Sequence, residues 1–486
     1  MIRILIVLFA FIAAGVASPA LAADAAKRRP NVVVFVADDL GARDLGYTGS
    51  TFYESPNIDA LAKRGAVFTA AYASCPVCSP TRASLMTGKY PQRVGITDWI
   101  GAPQPAEAAT RPIYKDRLLP AAYKEQLALE ETTVGEAFKE AGYATFFAGK
   151  WHLGREPFYP DKQGFDATFG AGHQGNPGKG GYFSPYKVPL SPGPDGEHLD
   201  LRLASEAAKW IAARDAQKPF LAWMSWYDVH TPLMAPEKTI KYFQEKRQRL
   251  RLADDFGTEG NSKLRLTQSH AIYAAMIKTM DDAVGIVVKQ LEEQKLLDDT
   301  IILFTSDNGG VATSEGWPTS NLPLRAGKGW AYEGGVRVPM LAIVPGVTKP
   351  GQACDAWAIS MDVFPTLLAA CGLAERKQDH LDGVNLLPAL KGDALSDRPL
   401  FWHYPHYGNQ GGSPFSAVRS GEWKLVVFHD PRQGVELYDL AADPDEAKNL
   451  ATNEPNRVAA MRKMLDEWKR DVGAIDATPH AAAAAN

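Results

Sequence analysis

The run at 31–37 is apolar at nearly every position and is followed at once by the acidic pair Asp38-Asp39. A strand covered on both faces reads this way, so the chain is expected to bury a sheet between layers of helix. From Asn31 onward, short β-rich runs alternate with helical patterns, as repeated strand-helix-strand units with a parallel sheet do. Further strands are predicted at 143–148, 220–226, 301–305 and 338–344, with helices at 133–142, 199–214 and 269–291. In an open sheet of this kind the ligand site lies outside the carboxyl ends of the strands. Asp38, Lys150, Asp228, His230, Asp307 and Asn308 all occupy such positions and can converge on one crevice.

After about residue 396 the pattern changes to short strands with turns, at 423–428 and 435–440, and then a final helix at 454–472. The expected architecture is therefore α/β: a large, mostly parallel central sheet sandwiched by helices, with a smaller C-terminal antiparallel sheet and helix. A length of 486 residues suits two unequal parts, because single cores stop growing near ~250 to 300 residues. The expected divisions are an export signal at 1–23, a catalytic domain at 30–396, an α+β subdomain at 397–475 and a disordered tail at 476–486. Arg3, the apolar run 4–16 and Ala20-Leu21-Ala22 carry the export expectation. That run is shorter than the ~20 residues a bilayer needs, so a periplasmic or secreted protein without a membrane anchor is expected. A net charge of -4 gives no reason to expect nucleic acid, and four cysteines are too few for a disulfide scaffold.

Chemistry concentrates in a few short segments. Cys78-Ser79-Pro80-Thr81-Arg82 continues to Thr87-Gly88. Pro80 favours the first turn of a helix, whose N-terminus directs backbone N–H groups at an anion, and Arg82 adds a fixed positive charge. Cys75 and Cys78 also have the spacing of a disulfide or redox pair, although neither would need Pro80 and Arg82. Asp38, Asp39, Asp307 and Asn308 are hard oxygen donors of the kind calcium takes, each pair placed directly after a buried strand. Either pair alone would be an ordinary turn. Lys150 and His152 lie two apart, so in an extended segment both leave on one face and can reach one bound group. His230 in Asp228-Val229-His230-Thr231-Pro232 and Lys328 in Gly327-Lys328-Gly329 could each be purely structural in isolation.

Together these segments resemble the formylglycine-dependent sulfatases of the alkaline phosphatase superfamily: Cys-x-Pro-x-Arg with Thr-Gly, Gly149-Lys150-Trp151-His152-x-Gly154, and the two acidic pairs. The resemblance runs from Pro30 to about Leu450. It implies that a maturation enzyme oxidises Cys78 to formylglycine before folding, and that the hydrated aldehyde attacks sulfur with one hydroxyl and expels sulfate with the other. It implies one calcium ion held by Asp38, Asp39, Asp307, Asn308 and the modified Cys78. Arg82, Lys150, His152, His230 and Lys328 are then catalytic: Lys150 and Lys328 contact sulfate, His152 orients the nucleophile or accepts its proton, and His230 is the general acid. Glu333-Gly334-Gly335 and Arg337 would shape the loop bearing Lys328. Lys89 stands where arginine is more usual in the family and preserves the charge.

The stretch His403-Tyr404-Pro405-His406-Tyr407, with Asn409 and Gln410 after it, has a composition suited to sugar contacts. Similar stretches occur in sulfatases acting on sulfated galactose or N-acetylgalactosamine, so a sulfated carbohydrate is expected, bound in part by His403 and His406. Trp99, His173 and the glycine-rich segment 172–181 are further candidates for the leaving-group pocket. Two other readings fit the same superfamily: a phosphatase or phosphodiesterase, which would need a Ser or Thr nucleophile and a second metal, and a catalytically silent glycan-binding relative.

Overall fold

The computed structural model describes residues 29–178 and 180–480, so the expected export signal and the alanines 481–485 lie outside the described residues. An eight-stranded sheet forms the centre, in the spatial order 352–354, 66–68, 340–343, 300–306, 31–37, 220–225, 144–149 and 167–169. Met340–Ile343 alone runs against its neighbours. The sheet is therefore mostly parallel, as the alternating pattern predicted.

Asn31–Ala37 sits inside the sheet with all seven residues buried. Val33 and Phe35 pack with the helices Leu199–Ala213 and Ala271–Glu293, while Val32, Val34 and Val36 pack with Cys78–Thr87, Val134–Glu140 and Val363–Ala370. Strand side chains alternate between faces, and here each face meets its own helical layer, which is why the run is apolar throughout. Each such side chain contributes roughly 1.5 to 3 kcal/mol on burial. The helix Val134–Glu140 starts where Thr133 accepts from the Glu136 amide and Glu136 accepts from the Thr133 amide, a reciprocal cap written as Thr-x-x-Glu.

The strand expected at 338–344 is divided. Arg337–Val338 joins a small sheet with Ala71–Tyr72 and Ala358–Ile359, and Met340–Ile343 enters the main sheet. Pro339 stands between them and has no N–H to continue a ladder. Beyond residue 396, Leu400–Tyr404, Phe415–Ser420, Trp423–Phe428 and Val435–Asp439 form an antiparallel sheet in sequence order. The helix Pro455–Asp471 turns Met461, Leu465 and Trp468 into the core beside this sheet, the spacing of one helical face.

Of the tail expected at 476–486, residues 476–480 are described. Thr478–Pro479 pairs with Leu118–Leu119, and the Ala477 amide donates to His429 Nδ1 at 3.2 Å. Composition could not reveal this, because the partners lie far away in sequence. Among the described residues no helix is long and apolar enough to cross a membrane.

Candidate active site

Four neighbouring strands end side by side: 300–306, 31–37, 220–225 and 144–149. Ala37 is in register with Ser306 and Val36 with Ser225, so Asp38, Asp307 and the loop from Trp226 emerge at one level. Gly149 is in register with Ser225, and a Cβ there would stand 1.8 Å from the Ser225 carbonyl oxygen. With its φ of +101° this position admits only glycine, and Lys150 follows it directly into the crevice.

Asp38, Asp39, Asp307 and Asn308 are all buried there. Three cations face the three carboxylates: Lys150 Nζ lies 2.6 Å from Asp38, Lys328 Nζ 2.7 Å from Asp39 and Arg82 Nη2 2.8 Å from Asp307. Burial of a charge is costly, so this pairing is what lets the cluster exist. Burial raises the Asp38 pKa well above the usual carboxylate range, with Asp307 adding to the effect. Burial pushes Asp39 the same way, but Lys328, His230 and Lys150 outweigh it and hold Asp39 below that range. Asp38 Oδ1 and Asn308 Oδ1 are buried without a hydrogen-bond partner. Carboxylates with an amide oxygen, two of these acceptors left open, are the donor set a hard divalent cation takes, so the residues fit calcium.

Cys78 begins the helix Cys78–Thr87, every residue of which is buried. Its Sγ lies 3.5 Å from His152 Nδ1. His152 Nε2 is 3.0 Å from the Ile100 carbonyl oxygen and must donate to it, which leaves Nδ1 as a lone pair turned toward residue 78. Burial, with Lys150 beside it, lowers the His152 pKa well below the histidine norm and keeps this ring neutral. His152 adopts a left-handed backbone, φ +54°, uncommon for a residue with a Cβ, and Asp39 does the same at +62°. Burial also raises the Cys78 thiol pKa, so an unmodified Cys78 is a poor thiolate here. All four cysteines are free, which removes the disulfide alternative for Cys75 and Cys78.

A cavity of about 310 Å³ opens above Cys78, with His152, His230, Lys328, Trp99, Asn176 and Gln410 among its walls. His230 Nδ1 donates to the Thr231 carbonyl oxygen at 2.7 Å, so Nε2 is the nitrogen left toward Asp39 Oδ2, 3.7 Å away. Burial lowers the His230 pKa to about 4, with Lys328 and Lys150 assisting and Asp39 opposing. Arg82 donates to Asp307 at 2.8 Å, to Ser225 Oγ at 2.6 Å and to the Lys150 carbonyl at 2.9 Å, and so ties three strand ends together. The loop carrying Lys328 rests on Gly334 and Gly335: a Cβ at Gly334 would stand 2.3 Å from the Arg325 carbonyl oxygen, and one at Gly335 2.2 Å from that of Trp330. Glu333 is anchored beneath by Lys424 at 3.0 Å.

Cys78, His152, His230 and Lys328 thus line one cavity, while Arg82, Lys150 and the four oxygen donors are buried next to them, with Asp39 against Lys328 and His230, and form no part of its lining. His403 and His406 do not join them. His403 is buried, with Nδ1 2.8 Å from Ser416 Oγ and Nε2 3.0 Å from the Ile475 carbonyl oxygen. His406 is buried against Thr97 Oγ1 at 3.0 Å and Asp98 at 3.4 Å. Neither of these two expected sugar contacts lines the cavity: strand pairing at Leu400–Tyr404 turns His403 into the sheet's own network, and only Asn409 and Gln410 of that stretch reach it. His173 lines an adjoining cleft of about 550 Å³. Sequence reasoning missed Glu315, Thr231 and Ile100, all in the cavity wall. Glu315 follows no strand and belongs to no short motif, so no local signal marked it.

Comparison with known proteins places these features. The sulfatase family model matches residues 30–373, and a model described as N-sulphoglucosamine sulphohydrolase, C-terminal, matches 326–471. Human arylsulfatase A is 32% identical over 484 residues, covering 94% of this chain and 86% of that one. Canine N-acetylgalactosamine-6-sulfatase is 31% identical over 445 residues, covering 86% and 76%. Among solved structures, Ps i-CgsB superposes with a TM-score of 0.73 at 26% identity, covering 93% of this chain and 94% of that one. The phosphonate monoester hydrolase of Agrobacterium radiobacter shares the fold, with a TM-score of 0.60 at 22% identity over 91% and 96%.

Proposed function

This chain belongs to the sulfatase family and is a sulfuric ester hydrolase, and from that premise we propose that it desulfates a carbohydrate at residue 78 in the manner its side chains set out. The observation that carries the reading is the position of Cys78, at the head of a buried helix, with an unprotonated His152 nitrogen 3.5 Å away and Lys328 in the same cavity. The relatives named N-acetylgalactosamine-6-sulfatase and the polar walls Asn409 and Gln410 favour a sulfated galactose or N-acetylgalactosamine unit.

Lys328 and His230 line the place for the sulfate group, with Lys150 buried behind them on Asp38, and fixed positive charge there favours an anionic transition state. His152 Nδ1 receives the proton of the residue-78 side chain as that group attacks. His230 lies where the ester oxygen departs, and the bound anion must draw a proton onto its Nε2 before it can protonate the leaving alcohol. Arg82 holds Asp307 and the Lys150 backbone in place rather than reaching into the cavity. Asp38, Asp39, Asp307 and Asn308, with residue 78, would hold calcium, which supplies a fixed Lewis-acidic charge to a sulfate oxygen. Formylglycine at position 78 would supply an aldehyde-hydrate oxygen in place of the thiol. Such a protein meets its maturation enzyme before folding and, on the N-terminal sequence, is exported to the periplasm or beyond.

The test is the intact mass of the Cys78 peptide from active protein, measured with release of sulfate and of phosphate from matched chromogenic esters. Formylglycine with sulfate release is expected. An unmodified cysteine in protein that hydrolyses the phosphate ester would sink the reading in favour of the phosphatase alternative.

A further inference from the structure

Glu315 is an unexpected presence in a cavity built for an anion. It lies in the wall together with Lys328, yet forms no ion pair with it; Lys328 is committed to Asp39 at 2.7 Å. Its neighbours are amides. Asn409 Nδ2 donates to Glu315 Oε1 at 2.9 Å and Gln410 Nε2 donates to the same oxygen at 2.6 Å. Oε2 has only the Thr231 hydroxyl, at 3.4 Å. A carboxylate oxygen can accept about two hydrogen bonds, so Oε2 remains an open acceptor on a half-buried side chain. Burial would raise the Glu315 pKa, but Lys328, His230 and the Gln410 hydrogen bond outweigh it and keep the group ionised.

Resting on the sulfatase reading above, we infer that Glu315 sets leaving-group specificity: Oε2 accepts a hydrogen bond from a hydroxyl beside the sulfate ester and repels substrates bearing a second anion there. The substrate class is therefore a sugar unit with a free hydroxyl next to its single sulfate. Lys328, with Lys150 buried behind it on Asp38, draws one anion into the cavity, while Glu315 rejects another. The division of labour follows from what holds each group: Lys328 is tied to Asp39 beside residue 78, whereas Glu315 is tied to Asn409, Gln410 and Thr231 and so meets the leaving sugar. Two unit charges ~4 to 6 Å apart in a partly buried cavity are enough to change relative rates about tenfold or more.

Glu315→Gln can keep its remaining oxygen toward Asn409 and Gln410 while turning an N–H toward Thr231 and the cavity, so an acceptor becomes a donor with little change of shape. The experiment compares kcat/KM for N-acetylgalactosamine 6-sulfate and its 4,6-disulfate in the matured full chain, with p-nitrophenyl sulfate as a reference ester. The native protein is expected to favour the monosulfate about tenfold or more. Glu315→Gln should shrink that ratio about tenfold, and Glu315→Asp, which keeps the charge, should retain it. An equal ratio in native protein and Glu315→Gln overturns the inference, as does native turnover of the reference ester with no preference for the monosulfate. Failure of the native protein to release sulfate from any of the three esters would instead defeat the sulfatase reading itself.

Discussion

Two regions of this molecule gather histidines beside carboxylates, and they are built in opposite ways. At the strand ends, Asp38, Asp39 and His230 converge over Cys78 with Asp38 Oδ1 and Asn308 Oδ1 left without hydrogen bonds. In the C-terminal sheet, His403, His429 and Asp476 also come close enough to share a ligand, but every ring nitrogen there is engaged. His403 Nε2 donates to the Ile475 carbonyl and its Nδ1 meets Ser416 Oγ; His429 Nε2 lies 2.9 Å from the same hydroxyl and its Nδ1 accepts from Ala477. The protons close into a consistent chain from His429 through Ser416 to His403. Residue type alone does not separate a candidate reaction centre from a fastening. Open acceptors among buried charges mark the first, and a completed hydrogen-bond circuit that pins the segment 475–477 marks the second.

The sharpest way to break this comparison is Cys78→Ala. Turnover is expected to fall by about a thousandfold or more, while thermal unfolding moves by only a few degrees; near-native turnover would remove the chemistry from this cavity. Lys328→Ala should cost about 10² to 10³ in kcat, and a loss confined to KM would show that Lys328 binds sulfate without favouring its transition state. Calcium should raise the melting temperature of the native protein, by an amount equivalent to about 2.7 kcal/mol at a hundred times the dissociation constant. Asp307→Asn should reduce that shift, and an unchanged shift would place the ion elsewhere.

The fastening should respond in stability and not in rate. His403→Ala leaves the Ile475 carbonyl without its donor and the Ser416 O–H without its acceptor, although Ser416 Oγ still accepts from His429, at a cost of about 1 to 3 kcal/mol for each group left buried and unpaired. The change in kcat/KM on a small sulfate ester should stay within about twofold. Burial lowers the pKa of His403 to about 4 and of His429 to about 3, so the folded state holds both rings neutral. Their contribution to stability is complete above the ordinary histidine value of ~6.5 and is lost as the pH falls from there toward 4, because the unfolded chain takes up protons first. Melting temperatures from pH 7 to pH 4 should fall less steeply in His403→Ala than in the native protein. A parallel decline in both would show that these rings do not govern it. His406→Gln, with its ring held by Thr97 and Asp98 outside the cavity, should affect turnover least of all.

Most of the floor of the site was legible because strand, turn and ligand are contiguous in sequence. An apolar run ending in Asp38-Asp39, another ending in Asp307-Asn308, and Gly149-Lys150 after a third carry their own placement: a parallel strand delivers the residues after it to one edge. The helix beginning near Cys78 was local in the same sense. The walls were not. Glu315 and Thr231 reach the cavity from loops whose course depends on what they pack against, and the stretch 403–410 divides its residues between sheet interior and cavity according to strand register. Pro339 likewise divided an apparently continuous strand between two sheets.

The sequence by itself determined the layered α/β architecture and the gathering of Asp38, Asp39, Lys150, Asp307 and Asn308 at neighbouring strand ends, because short-range patterning and strand-end geometry are properties of contiguous residues. Only the tertiary structure decided which histidines line the cavity, that Glu315 stands in its wall, and that 475–479 is fastened to the body. Those outcomes depend on contacts between residues tens to hundreds of positions apart, where each side chain's partners, and so its charge state and open valences, are set by packing.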